Sequence, residues 1–222
     1  ECLSLIRWLS ARTCASLGES LKLVVPSAIL GRKKLLEARA AGPLAAAPSA
    51  AGPLSAAPFE LTPGQREAVD GIGDSLGERR RRVHLLFGVP ASGKTEVYLR
   101  LIRKAVADGA QALFLVPEIT LTLPFFDEFS ASLPGAPGSV ALWHSRLSER
   151  ERREAWLGLR SGRVRVVVGA RSACLLPFRD LRLAVMDEEQ DESFKQDGQS
   201  PFYHARDVVL ERAASFGATV VL

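Results

Sequence analysis

Residues 83–95 read VHLLFGVPASGKT, an apolar run that leads directly into a G-x-x-x-x-G-K-T loop. This pattern is typical of a phosphate-binding loop that joins a strand to a helix. Gly88 and Gly93 allow the backbone to wrap closely around a polyphosphate, while successive N–H groups and the helix N-terminus provide partial positive charge. A chance glycine turn is disfavoured because a strand-like run precedes the loop and a helical pattern follows it at 96–107.

The loop also predicts individual contacts to a nucleotide. Lys94 is expected to reach the β- and γ-phosphates, and the hydroxyl of Thr95 is expected to ligate Mg²⁺. The backbone of the whole loop would surround the phosphates, and its residues are Gly88, Val89, Pro90, Ala91, Ser92, Gly93, Lys94 and Thr95.

A second chemical signal is the acidic sequence DEEQ at 187–190, which follows a short apolar run at 183–186. Carboxylates at the C-terminal end of a buried parallel strand lie beside the phosphate loop in an open α/β sheet. Asp187 would then join the Mg²⁺ shell and Glu188 would polarise an attacking water. An acidic run alone is equally typical of a solvated turn, so this prediction depends on the loop at 88–95.

Composition limits the class of protein. The chain has 222 residues, 47% of them apolar, and a formal net charge of +4. This is enough for the core of one large α/β domain, and no apolar run approaches the roughly 18 residues of a membrane span. The chain begins at Glu1 without a signal-peptide pattern, so we expect a fragment of a cytoplasmic protein without a membrane partner. Three cysteines lack metal-ligand spacing, and none predicts a zinc site.

Three segments differ in their patterns. Residues 1–30 predict one or two helices of a small unit whose other half lies elsewhere, because thirty residues cannot close a core. Residues 31–58 contain a near-repeat with a proline at every fifth position, which predicts a semi-extended Ala/Pro-rich linker. Residues 59–222 contain the loop and the acidic run, and they predict a separate nucleotide-binding lobe.

Within this lobe, strand-like and helical segments alternate. The expected helices span 123–133, 148–159 and 204–216, and the expected strands span 112–116, 140–143, 164–168, 183–186 and 218–222. Strands separated by helices predict an α/β fold in which a parallel sheet carries helices on both faces. Capping patterns predict helix starts at Thr62-Pro63 and at Ser148, the second with the S-x-x-E box that ends at Glu151.

Five stretches resemble the PriA family, the replication-restart DNA helicases of superfamily 2; they lie at 88–99, 115–122, 144–156, 168–173 and 187–196. The resemblance covers 61–222 in order and implies a RecA-like P-loop lobe, the first of two motor lobes. Residues 1–26 more loosely resemble the end of the winged-helix-like DNA-binding region that precedes the motor in that family.

The resemblance implies an ATP- and Mg²⁺-dependent translocase that binds single-stranded and forked DNA. It also implies primosome proteins as partners and a bacterial, nucleoid-associated cytoplasmic location. Gln65 would read adenine, and Lys94, Asp187 and Glu188 would be catalytic. The residues expected to contact DNA are Pro117, Glu118, Arg171, Ser172, Phe194, Lys195 and Tyr203.

An aromatic-rich loop at 194–204 carries part of this DNA prediction. In the resembling family this loop is thought to couple DNA contact to hydrolysis, and aromatic rings interleaved with cations suit base stacking. The alternative is an ordinary loop that packs on the sheet. The family's second lobe, arginine finger and zinc-binding cysteines would lie beyond Leu222, so we expect this fragment alone to be inactive.

At four positions the sequence departs from the pattern of the PriA family. Gln190 stands where the family has histidine, Ala170 where it has threonine, and the phosphate loop has Pro90 and Ala91 in place of threonine and glycine. If the changes at Gln190 and Ala170 uncouple the site, the chain would serve as a DNA-binding primosome scaffold with a decayed ATPase. The presence of both carboxylates at 187 and 188 favours the enzyme, and a kinase is disfavoured because 117–172 suggests no phosphoryl-acceptor site.

Overall fold

The structure is a computed structural model that describes residues 1–30, 60–89, 92–117, 119–133 and 138–222. The predicted linker at 31–58 lies outside the described residues, as do Pro90, Ala91 and Glu118.

A six-stranded parallel sheet organises the described residues. Its strands are β1 (Arg82–His84), β2 (Gln111–Leu115), β3 (Val140–Trp143), β4 (Val166–Gly169), β5 (Leu181–Met186) and β8 (Thr219–Val221). They lie in the order β1-β8-β5-β2-β4-β3. A separate antiparallel pair consists of β6 (Lys195–Gln196) and β7 (Tyr203–His204). The predicted parallel sheet is confirmed.

Eight α-helices connect or cover these strands in the described part of the chain. They are α1 (Cys2–Thr13), α2 (Leu17–Val24), α3 (Ser27–Leu30), α4 (Pro63–Ser75), α5 (Lys94–Ala107), α6 (Ile119–Ser132), α7 (Glu149–Ser161) and α8 (Ala205–Phe216). Capping boxes begin α4 at Thr62 and α7 at Ser148, as the sequence predicts.

Helices lie on both faces of the sheet because side chains alternate along its buried strands. Phe114 of β2 packs with α4, α5 and α6, on what we name the α5 face. Its neighbours Leu113 and Leu115 pack with α1, α2, α7 and α8, on what we name the α8 face. Two apolar cores therefore lie on opposite sides of one sheet.

The N-terminal helices join the core on the α8 face. Leu5, Ile6 and Leu9 of α1 are buried there, and the indole Nε1 of Trp156 donates to the backbone oxygen of Val24 at 3.3 Å. We expected the other half of this small unit to lie elsewhere. Instead, the predicted nucleotide-binding lobe provides the apolar surface that residues 1–30 lack by themselves. A DNA-binding role for these helices stays a prediction.

The first strand is shorter than its apolar sequence predicts. It ends at His84, and Leu85 and Phe87 follow in an extended segment with exposed side chains. Strand β4 begins at Val166 rather than 164, because the Val164 amide donates to the end of α7. No helix among the described residues is long and apolar enough to cross a membrane.

Candidate functional site

The phosphate loop lies between β1 and α5 at the C-terminal edge of the sheet. Gly93 has φ +80°, a left-handed conformation that favours glycine, and it forms the N-cap of α5. A Cβ at Gly88 would lie 2.7 Å from Oγ of Ser92. The backbone conformation at 93 therefore favours glycine, and a side chain at 88 would displace the Ser92 hydroxyl.

Gln65 lies against this loop. Its Oε1 accepts from the Thr62 backbone N–H at 2.9 Å, which completes the capping box of α4, and its Nε2 donates to the Ser92 carbonyl at 2.9 Å. The amide thus ties α4 to the phosphate loop. Adenine recognition by Gln65 stays a prediction, and a base would have to compete with these two bonds.

The proposed catalytic lysine and glutamate meet across the sheet. Nζ of Lys94 lies 2.9 Å from Oε1 of Glu188, although 94 residues separate them in sequence. Glu188 has φ +50°, a conformation uncommon outside glycine that aims its side chain at the loop. Hydrogen bonds from Lys94 and then Gln190 hold the pKa of Glu188 below its usual value, so this carboxylate stays ionised at neutral pH.

Asp187 has a different environment from its neighbour. Burial, the largest effect, raises the pKa of Asp187 above its usual value, partly offset by the charge of Lys94. The hydroxyl of Tyr98 donates to Oδ1 of Asp187 at 3.3 Å. We did not predict a role for Tyr98; the available signal was its position four residues after Lys94, on the same face of α5.

The residues predicted to contact DNA begin at the ends of the neighbouring strands β2 and β4. Ser172 is exposed, and its Oγ lies 3.2 Å from the Trp143 indole nitrogen. The carbonyl of Pro117 accepts from Ser193 Oγ at 3.0 Å. These residues lie at the same sheet edge as Asp187, because Asp187 N donates to the carbonyl of Leu115 in β2.

Arg171 is directed at the protein itself. Its guanidinium donates to the carbonyl of Ser193 at 3.3 Å, to the carbonyl of Lys195, and to Oε1 of Gln196 at 3.3 Å. It also lies 5.9 Å from the ring centre of Tyr203. Arg171 therefore holds the aromatic-rich loop in place, and its contact with DNA stays a prediction.

Two aromatic residues of this loop are in the core and not on the surface. Phe194 is fully buried and Tyr203 is 7% exposed, both in the apolar cluster of the α8 face. Both rings therefore pack against the protein, and their contact with DNA stays a prediction. Lys195 is exposed, and Phe202 is 55% exposed. Phe202 therefore offers an accessible ring for base stacking in this loop, the role that the sequence predicted for Tyr203.

Two further contacts fix the acidic run. Nε2 of Gln190 donates to Oε2 of Glu188 at 2.7 Å. Nη1 of Arg206, in α8, lies 2.9 Å from Oε2 of Glu189. Each residue from 187 to 190 therefore has a defined partner, and Glu188 is held from both sides.

Comparison with known proteins gives concordant matches. The family model described as DEAD/DEAH box helicase matches residues 62–220. "Replication restart protein PriA" of Bacillus subtilis is 44% identical over 163 residues, which cover 73% of this chain and 20% of the relative. The same-named protein of Rickettsia felis is 34% identical over 222 residues, which cover 100% of this chain and 31% of the relative.

A solved structure of RecG bound to a three-way DNA junction is also similar, with a TM-score of 0.56 and 25% identity. That match covers 74% of this chain and 21% of the RecG chain. The chain thus spans between a fifth and a third of the length of the curated PriA relatives described above. Because the helicase model covers the phosphate loop, the acidic run and the strands that bring them together, this chain belongs to the DEAD/DEAH box helicase family.

Proposed function

We propose that this chain is the first motor lobe of a PriA-like helicase that couples ATP hydrolysis to movement on DNA during replication restart. The observation that carries the proposal is the 2.9 Å contact between Lys94, in the phosphate loop, and Glu188, at the end of β5. A phosphate-binding cation and an ionised carboxylate at one sheet edge are the groups that γ-phosphate cleavage requires.

ATP would supply the transferable phosphoryl group, and Mg²⁺ would neutralise the negative charge of its oxygens. The donors that fit this pair are the carboxylate of Asp187, immediately after β5, and the hydroxyl of Thr95, in the first turn of α5. Asp187 and Thr95 would therefore hold Mg²⁺ jointly with phosphate oxygens, the usual coordination of that ion.

The protein's own groups would act in sequence. Lys94 would exchange its contact with Glu188 for a contact with phosphate, because the carboxylate and the phosphate are both anions that can accept from its ammonium group. Glu188 would then be free to orient a water and accept its proton. Gln190 keeps a hydrogen bond to Glu188, which supports a working site over the decayed ATPase of a scaffold.

DNA would lie along the edge formed by the ends of β2 and β4. The exposed Lys195 and Phe202 offer a cation and a ring beside it, which suit a flexible single strand. Forked DNA is proposed as the substrate because the similar RecG structure contains a three-way junction. Primosome partners, a cytoplasmic and nucleoid location, and a zinc site elsewhere in the longer protein remain predictions.

The test is the rate of ATP hydrolysis by the full-length protein, with and without forked DNA. Lys94→Ala and Glu188→Gln should each abolish DNA-stimulated hydrolysis, and Glu189→Gln is the matched control in the same acidic run. The 222-residue chain should turn over ATP at or near background. Stimulated hydrolysis that survives both substitutions would refute the proposed function.

A further inference from the structure

A cleft lies between the N-terminal helices and the lobe that carries the sheet. Its volume is about 460 Å³, within the roughly 300–1,000 Å³ of small-ligand sites. One wall comes from the last turn of α2 and the start of α3. The other comes from the end of β3, the start of α7 and the 3-10 turn Arg171–Leu175. We name this space the α2–α7 cleft.

The two walls are joined by contacts of the core, so the cleft is a fixed feature of the fold. Val24, at the end of α2, is buried, and its carbonyl accepts from the indole Nε1 of Trp156 in α7 at 3.3 Å. At the other end of α2, Ser16 and Glu19 form a complete capping box. The helix that forms one wall is therefore anchored at both ends.

The polar lining of the cleft carries an excess of positive charge. Lys22 is exposed, and Arg152 donates to the carbonyl groups of Ser145 at 2.7 Å and Leu147 at 3.2 Å. Neither cation forms an ion pair within the described residues. One carboxylate, that of Glu149, also lines the cleft, so two cations face one anion. An anionic ligand is favoured by this balance.

The rest of the lining is apolar. Leu23 and Pro26 are half-buried on the α2 side, and Leu175 and Leu176 are buried on the other side. The guanidinium of Arg152 provides a flat group as well, on which a nucleobase can stack. An apolar wall beside two cations suits a ligand that joins a flat ring to a phosphate, which is the chemistry of a nucleotide.

Ser172 connects the cleft to the edge along which DNA is proposed to lie. It follows β4, it is exposed, and it lines the cleft. Its Oγ accepts from the Trp143 indole nitrogen at 3.2 Å, so its own proton remains available to a phosphate oxygen. A strand that passes the end of β4 would therefore reach the cleft directly.

We propose that the α2–α7 cleft binds one nucleotide of the single strand, with its base against the apolar wall and its phosphate at Lys22 and Arg152. The N-terminal helices would then share in the DNA site, because α2 supplies both Lys22 and part of the apolar wall. The inference rests on the proposed function, which brings the strand to the ends of β2 and β4.

The charge of Lys22 is tested by anisotropy titration of a single-stranded oligonucleotide with the full-length protein, without ATP and at several salt concentrations. Lys22→Gln should weaken binding several-fold and reduce the salt dependence by about one counterion. Arg12→Gln removes the same charge from an exposed position on α1 outside the cleft, and it is the matched control. Equal effects of the two substitutions would overturn the proposal.

The base is tested by a forked DNA with a single-stranded arm, in which one abasic site is moved along the arm from the junction. One position should lower affinity by about fivefold or more, because a stacked base is lost there. Ser27→Trp, at an exposed position on the rim, should fill the cleft and remove most of this penalty. Leu3→Trp, on the exposed side of α1, should retain it. The absence of any such position, or an equal penalty in Ser27→Trp, would overturn the proposal.

The same titrations separate the cleft from the proposed function. If Lys195→Ala weakens binding while Lys22→Gln and the abasic sites do not, the cleft is excluded and the motor function stands. If the parent protein binds no single strand, both are overturned. If a free deoxynucleoside monophosphate binds as tightly as the oligonucleotide and requires Lys22, the cleft is a mononucleotide site, which also overturns the proposal.

Discussion

Nζ of Lys94 lies 2.9 Å from Oε1 of Glu188, so the cation expected to bind phosphate neutralises the carboxylate expected to activate water. The pair is asymmetric, because the Lys94 side chain is 20% exposed and that of Glu188 is 46% exposed. A phosphate that enters the loop would therefore find its lysine already held in place and would need only to displace a half-exposed carboxylate.

Glu188→Gln should abolish hydrolysis and slightly strengthen nucleotide binding. The amide cannot accept a proton from water, and it releases Lys94 from a half-exposed ion pair worth about 1 kcal/mol or less, which corresponds to roughly fivefold in affinity at most. Fluorescence titration of a nucleotide analogue measures this change. Glu189→Gln is the control, since Glu189 pairs with Arg206. A large loss of affinity in Glu188→Gln would show that Glu188 has a role in binding.

Tyr98→Phe should make Mg²⁺-dependent nucleotide binding more sensitive to acid. Burial already raises the pKa of Asp187, and the Tyr98 hydrogen bond opposes that rise. As pH falls through this raised pKa, Asp187 takes up a proton and loses its charge for Mg²⁺. Without the hydroxyl, the decline should therefore begin at a higher pH.

The measurement for Tyr98 is nucleotide affinity as a function of pH, from about pH 8 downward, because the effect appears as Asp187 takes up its proton. Phenylalanine preserves the ring contact with Phe114, whose centroid is 5.7 Å away, so the fold is kept. At about pH 8 the two proteins should differ by less than a factor of three. Identical profiles across the range would contradict a role for the hydroxyl.

The phosphate loop, the acidic run and the alternating strands could be predicted because their signals are local. Gly88, Gly93 and Lys94 lie within one loop, and the run that forms β5 ends immediately before Asp187. The two capping boxes are likewise patterns of four residues. Each depends on neighbours in sequence, where periodicity and spacing carry the information.

The packing of Phe194, Tyr203 and Arg171 could not be predicted, because it depends on contacts distant in sequence. Nothing in the aromatic-rich loop indicates which ring enters the core; packing against the α8 face buries Phe194 and Tyr203 and leaves Phe202 outside. Arg171 reaches carbonyl groups 22 and 24 residues away. These roles depend on tertiary packing, which a short sequence motif does not encode.

Arg171→Lys should loosen the aromatic-rich loop without weakening nucleotide binding. The guanidinium spans Ser193, Lys195 and Gln196, and a lysine ammonium cannot reproduce that fan of donors. Each lost bond is worth roughly 0.5–1.5 kcal/mol. We expect faster amide exchange at 193–196 and a several-fold loss of DNA-stimulated hydrolysis in the full-length protein. Unchanged exchange at these amides would contradict the positioning role.

Lys195→Ala should weaken binding of single-stranded DNA, whereas Tyr203→Phe should not. Lys195 is exposed, so loss of one phosphate contact should reduce the salt dependence of binding by about one counterion. Tyr203 is 7% exposed and its ring is core, so Tyr203→Ala should cost about 3–5 kcal/mol of folding stability instead. Anisotropy titrations at several salt concentrations, with thermal unfolding in parallel, separate the two effects. Weaker DNA binding by a stably folded Tyr203→Phe would restore Tyr203 to the interface.

Gln190 is the residue at which the enzyme and scaffold hypotheses make opposite predictions. Its Nε2 donates to Glu188 at 2.7 Å, and this contact helps to hold the pKa of Glu188 low. A residue in this position can report the presence of DNA or of a second lobe to the carboxylate, because a change in its hydrogen bond changes the charge and orientation of Glu188.

Gln190→His should leave nucleotide affinity nearly unchanged, since a neutral imidazole also offers a donor and an acceptor. The same change should raise the stimulation of hydrolysis by DNA, because histidine is the residue that the PriA family has at this position. Gln190→Leu has similar bulk but no hydrogen bond, and it should lower stimulation while sparing nucleotide binding. The measurement is the ATPase rate of the full-length protein with and without forked DNA. If the parent protein is already strongly stimulated and Gln190→His changes nothing, glutamine is a working substitute for histidine. If neither form hydrolyses ATP while both bind DNA, the scaffold hypothesis is correct and the Gln190–Glu188 contact is purely structural.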